Sequence, residues 1–115
     1  MKLLISLNNN NGRMSELSNH FGGCAYYAIY NTTNEKLEII KNTIDHSNNK
    51  DPFTNQILKL DIDCVFSLGM GKKAIDLFKQ NNILLKTGKY TTLAEVINNI
   101  DNLEPITMAC NHLND

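Results

Sequence analysis

The 115-residue chain is long enough for one packed domain and too short for two. Its hydrophobic content of 42%, charged content of 20% and net charge of −1 are those of an ordinary globular protein, with no basic excess to serve nucleic acid. No apolar run approaches the roughly 20 residues that span a bilayer, and three widely spaced cysteines make no disulfide framework. A soluble cytoplasmic protein with free thiols is expected.

In chain order, Lys2 to Leu7 reads as a buried first strand, ended by the loop signal Asn8-Asn9-Asn10-Asn11-Gly12. The loop runs on to Ser18-Asn19-His20-Phe21-Gly22-Gly23-Cys24. Glycine lets a backbone approach a ligand closely, and imidazole and thiolate are groups that iron–sulfur clusters and soft metals accept. A plain turn between two strands is the alternative reading. Ala25 to Asn31 and Lys36 to Lys41 follow as second and third strands of an antiparallel meander.

The pattern then changes. Asn42 to Lys50 is a polar loop carrying His46, and Asp51-Pro52 resembles an N-cap followed by a first-turn proline. Phe53, Ile57 and Leu58 give the first helix its apolar face. Asp63 to Leu68 is a fourth strand, cut by Gly69-Met70-Gly71, and Lys72 to Gln80 is a second helix with Ala74, Leu77 and Phe78 at helical spacing. Ile83-Leu84-Leu85 is a fifth strand. Thr92-Leu93-Ala94-Glu95 is a capping box that opens a third helix, with Leu93, Val96, Ile97 and Ile100 as its stripe. Beyond Asn102 the pattern fades, which divides the chain into a single domain, 1–102, and a tail, 103–115.

A meander followed by helix–strand–helix–strand–helix predicts an α/β fold with a mixed five-stranded sheet, order 3-2-1-4-5, flanked by helices. In that order the first, third, fourth and fifth strands end on one edge. The His20 turn, the His46 loop, Gly69-Met70-Gly71 and the Thr87 to Thr91 loop all leave from it. Open α/β sheets bind ligands at that edge, where the strand order reverses. Here the reversal falls between the first and fourth strands.

Ser18-x-His20-Phe21-Gly22, the aromatic strand after it and Leu68-Gly69-Met70-Gly71-Lys72-Lys73-Ala74-Ile75 resemble the nitrogenase iron–molybdenum cofactor biosynthesis family. That family includes the NifX and NafY accessory proteins and the carboxyl-terminal domain of many NifB proteins, and the likeness spans roughly residues 1 to 100. The resemblance implies an RNase H-like fold and binding of an iron–sulfur cofactor, the nitrogenase FeMo-cofactor or its NifB-co precursor, by a non-catalytic carrier. It also implies that His20 is the motif histidine that meets the cluster. Where many relatives have arginine or serine after His-Phe-Gly, this chain has Gly23.

The candidate cofactor-binding residues are therefore His20, Phe21, Gly22, Gly23 and Cys24 of the first turn with Gly69, Met70 and Gly71 of the second. His20 and Cys24 are candidate metal ligands, and Cys110 and His112 form a Cys-x-His pair in the tail, two soft ligands close enough to chelate one metal. Cys64, inside an apolar strand, reads as core. RNase H-like nucleases place a carboxylate on the first strand, and Lys2 to Leu7 has none, which argues against that enzyme class. The implied partners are assembly proteins of the NifB and NifEN kind and a second copy of the chain, with no nucleic acid and no membrane. A small-ligand or protein-interaction module of the same fold is the alternative function.

Overall fold

The computed structural model describes residues 1–43 and 53–106; His46, the Asp51-Pro52 cap, Cys110 and His112 lie outside them. Strand β1 (Lys2–Leu7) is antiparallel to β2 (Tyr26–Asn31), which is antiparallel to β3 (Leu37–Lys41). Helix α1 (Phe53–Leu58) leads to β4 (Cys64–Phe66), parallel to β1, and α2 (Lys72–Gln80) leads to β5 (Leu84–Thr87), parallel to β4. Helix α3 (Leu93–Asn98) and a 3-10 turn (Ile100–Asn102) precede β6 (Glu104–Pro105), antiparallel to β5. The sheet order is β3-β2-β1-β4-β5-β6, the expected arrangement with a sixth strand added.

Alternation along β1 explains the layers. Leu4 joins Val65, Leu85, Ile57, Ile75 and Phe78 in a core under α1 and α2. Leu3, Ile5 and Leu7 point to the other face and pack with Cys64, Phe66, Leu93 and Val96 under α3. A central strand covered on both faces is largely apolar, and five of the six residues of β1 are buried, Ser6 among them. Each large side chain so enclosed stabilises the fold by about 1.5–3 kcal/mol.

The start of α3 is tied on every side. Thr92 Oγ1 accepts from the Glu95 N–H at 3.4 Å, and Glu95 Oε1 accepts from the Thr92 N–H at 3.1 Å, the reciprocal box expected from the sequence. The N–H groups of Leu93 and Ala94 donate to the carbonyls of Ser15 and Arg13 at 2.9 and 2.8 Å. The long loop after β1 thus serves as the outer cap of a helix that follows some 75 residues later.

The sixth strand comes from the segment read as tail. The Ile106 N–H donates to the Leu85 carbonyl at 3.0 Å, and Leu103 and Ile106 pack against opposite faces of the sheet. Pro105 has no N–H to give, which an edge strand tolerates. Two paired residues are too few to show alternation, so nothing in the local pattern marked them.

Hydrogen bonds from Thr91 and Thr92 hold the Glu95 carboxyl below its ordinary value of 4.5. Its contribution is present above that value and is lost as pH falls through the lowered one. The stability difference between the parent and Glu95→Gln should therefore shrink as pH drops below 4.5. Thr92→Ala should cost about 1 kcal/mol at neutral pH in urea unfolding.

Candidate functional site

The turn after β1 is built from the inside out. Phe21 is buried, its ring centroid 5.5 Å from Tyr27 and 5.6 Å, edge-on, from Phe78 of α2. The Phe21 carbonyl accepts from the Tyr27 hydroxyl at 2.6 Å and from the Cys24 thiol at 3.4 Å. Asn42 Nδ2 donates to the carbonyls of Gly22 and Cys24 at 3.2 and 2.7 Å, which fastens the turn to the end of β3. Ser18 Oγ accepts from the His20 N–H at 3.1 Å.

With Phe21 and Cys24 directed inward, His20 and Gly23 are exposed and Gly22 is half-buried. None of the turn's glycines has a positive φ; among the described glycines only Gly12 does, at 58°. A Cβ built on Gly23 meets nothing nearer than the His20 Cβ, at 3.8 Å. Glycine is therefore not required there by backbone strain or by crowding, and the space above it is open.

The second turn lies beside the first at the carboxyl edge. Ser67 Oγ donates to the Gly69 carbonyl at 2.6 Å and accepts from the Gly69 N–H at 3.2 Å. Gly69, Met70 and Gly71 are all buried, and Met70 packs in the same core as Phe21, Cys24 and Phe78. The two motifs read from the sequence thus share one core, which holds the side chains of Phe21 and Met70. Gly71 is the N-cap of α2, with no side-chain cap, no acidic residue in the first turn, and the exposed Lys72 and Lys73 just inside. At Gly88, in the third loop of this edge, an added Cβ would stand 2.5 Å from the Tyr90 ring; that glycine is a packing requirement.

Among the described residues no group of three or more His, Cys, Asp and Glu side chains is arranged to hold a metal. Burial pushes the Cys24 thiol up from its ordinary value, and it donates to the Tyr26 carbonyl at 3.2 Å as well. Burial raises Cys64 to about 11, in keeping with its reading as core. Among the described residues the turn presents one exposed histidine, His20, beside the open space at Gly23.

A family model described as dinitrogenase iron–molybdenum cofactor matches residues 1–102. The chain belongs to that family. Among solved structures it is similar to a provisionally assigned NifB protein from Thermotoga, 19% identical over 97% of this chain and 98% of that one, with a TM-score of 0.79. The apo form of the orange protein from Desulfovibrio gigas is 13% identical over 95% of each chain, with a TM-score of 0.79. A provisionally assigned dinitrogenase from Methanocaldococcus jannaschii is 20% identical over 93% of this chain and 95% of that one, with a TM-score of 0.70. At such identities the likeness is one of fold. A comparison with curated proteins gave no match.

Sequence reasoning missed Ser6, Tyr27 and Asn42. Ser6 Oγ is fully buried with no hydrogen-bond partner among the described residues, although its place in an apolar run gave no hint of that. Ser6→Ala removes an unsatisfied hydroxyl and should raise stability by about 1 kcal/mol in urea unfolding. At pH 8 the folded protein should resist alkylation at Cys24 and Cys64 and react at both once denatured, because the thiolate is the nucleophile.

Proposed function

We propose that this protein is a non-catalytic carrier of an assembled iron–sulfur cargo, the nitrogenase iron–molybdenum cofactor or its NifB-co precursor, in cofactor biosynthesis. The observation that carries the reading is the His20 turn. Its flanks are fixed by Phe21, Cys24 and Asn42, and His20 stands exposed beside a glycine with open space above it. Family membership supports reading the cargo as the iron–molybdenum cofactor or its precursor.

In this reading His20 offers its imidazole to an iron of the cargo that lacks a ligand, a role neutral imidazole suits. Gly22 and Gly23 let the cargo lie against the backbone. The Gly69-Met70-Gly71 turn adjoins the cargo through its backbone, with the side chains of Phe21 and Met70 in the core beneath. Lys72 and Lys73, at the uncapped start of α2, offset negative charge on the cargo, and the helix end itself favours an anion. Cys24 is a further ligand only if its thiol leaves the Phe21 and Tyr26 carbonyls and ionises, both of which its burial opposes. A hold through one imidazole leaves the cargo's own coordination intact. That suits a protein that receives it from a NifB-like partner and surrenders it to a NifEN-like one.

Anaerobic loading should give a brown protein with charge-transfer absorption. His20→Ala should fold normally and retain at least about tenfold less cargo, a loss of about 1.4 kcal/mol. Gly23→Ala should keep the parent's thermal midpoint, since the added methyl has room, and yet bind cargo more weakly. A colourless parent after loading, or unchanged retention in His20→Ala, favours the alternative of a small-ligand or protein-interaction module.

The tail pair Cys110 and His112 belongs to the same proposal. Strand β6 runs antiparallel to β5 and so carries the chain away from the His20 edge by Ile106. The pair then serves most directly a site on a neighbouring copy. Truncation after Ile106 should lower cargo affinity and the tendency to self-associate together, measured by titration and analytical ultracentrifugation.

A further inference from the structure

At the edge of the sheet opposite the His20 turn lies a cleft of about 330 Å³ between the end of β2 and the turn that closes α3. The pairing of Tyr30 with Leu3, near the start of β1, fixes it at that far edge, whereas Tyr26 pairs with Leu7 beside the His20 turn. The two places are separate.

Four features of the cleft agree on the chemistry of an occupant. Tyr30 lines it, is 95% buried by its 5% exposure, and makes no hydrogen bond through its hydroxyl among the described residues. Ser6 Oγ is the buried side-chain polar atom without a partner among the described residues, so the Tyr30 hydroxyl keeps its contact with solvent and is open to a ligand in the cleft. Ile97 and Ile100 supply apolar wall, and both pack against the core beneath. Asp101 adds a carboxylate, and Asn98 and Asn102 add amide oxygens, while none of the described lining residues is basic. The cleft also stands at the carboxyl end of α3, whose last turn has no basic side chain to offset the partial negative charge there.

The geometry points to a binding site for a primary alkylammonium group, its alkyl stem along Ile97 and Ile100 and its charged head between the Tyr30 hydroxyl and the Asp101 carboxylate. The same chemistry is carried by a free diamine and by the lysine side chain of a partner protein. The hydroxyl accepts from one N–H of the ammonium, and the carboxylate and amide oxygens accept from the others.

The test is a titration of the full-length, nitrogen-15-labelled protein with 1,5-diaminopentane and, separately, with Nα-acetyl-lysine methylamide. Saturable amide shifts are expected at Tyr30 and from Asn98 to Asn102, with the His20 to Cys24 turn unmoved. Tighter binding of the diamine identifies a free ligand, and tighter binding of the blocked lysine identifies a protein side chain; each supports the site. Asp101→Asn should weaken affinity about fivefold. Tyr30→Phe should weaken it about threefold and leave the thermal midpoint unchanged, because the hydroxyl has no partner among the described residues to lose. No saturable shift at millimolar concentrations of either probe, or shifts undiminished in Asp101→Asn, overturns the proposal. A Tyr30→Phe protein with a lowered midpoint and unchanged affinity overturns the role given to the hydroxyl.

Discussion

Burial of the Phe21 ring is the contact on which the site depends. It lies between Tyr27 of β2 and Phe78 of α2, so that one side chain ties a loop, a strand and a helix together. Its own carbonyl is the acceptor for the Tyr27 hydroxyl and the Cys24 thiol, which makes the backbone of the turn as fixed as its side chain. A loop of this length would otherwise be free to wander, at a cost in ordering entropy for whatever it binds. With Phe21 in place, the residue before it has little choice but to face outward. The exposure of His20 is a consequence of the burial of its neighbour.

The two helix starts at this edge have been treated in opposite ways. At α3, two loop carbonyls and a capping box satisfy the free N–H groups, and the long loop is thereby anchored. At α2, a glycine stands where a capping side chain is ordinarily found, and two lysines occupy the first turn, where the helix end is already positive. Departures of this kind from local preference concentrate where a protein binds something. The closed helix end holds the scaffold, and the open one belongs to the proposed site.

Much of this was legible in the sequence because the strongest signals were also the most local. The apolar run of β1, the Thr92 to Glu95 box and the spacing within Lys72 to Gln80 each specify an element from a few adjacent residues, and right-handed crossovers then order the strands. The convergence of the His20 and Gly69-Met70-Gly71 turns follows from that order. Their mode of contact does not. Met70, read as a cofactor-binding residue, is 1% exposed, packed in the core that Phe21 joins from a loop some 50 residues earlier. Asn42 holds the His20 turn from the far end of the meander, and Leu103 to Ile106 close the sheet against β5. These are long-range pairings of single residues, and no periodicity announces them.

The last strand has a consequence for how copies of this chain can associate. An open sheet edge is a template on which another chain's backbone can add. On one side β6 contributes only Glu104 and Pro105, and a strand of two residues, one of them an imino acid, is a poor template. On the other side β3 offers five residues, Leu37–Lys41, with β2 as their only strand partner among the described residues. Head-to-tail stacking of sheets needs two receptive edges, and the described residues offer one. Strand-to-strand association through β3 joins two copies edge to edge, and the short, proline-bearing β6 gives a third copy little to add to.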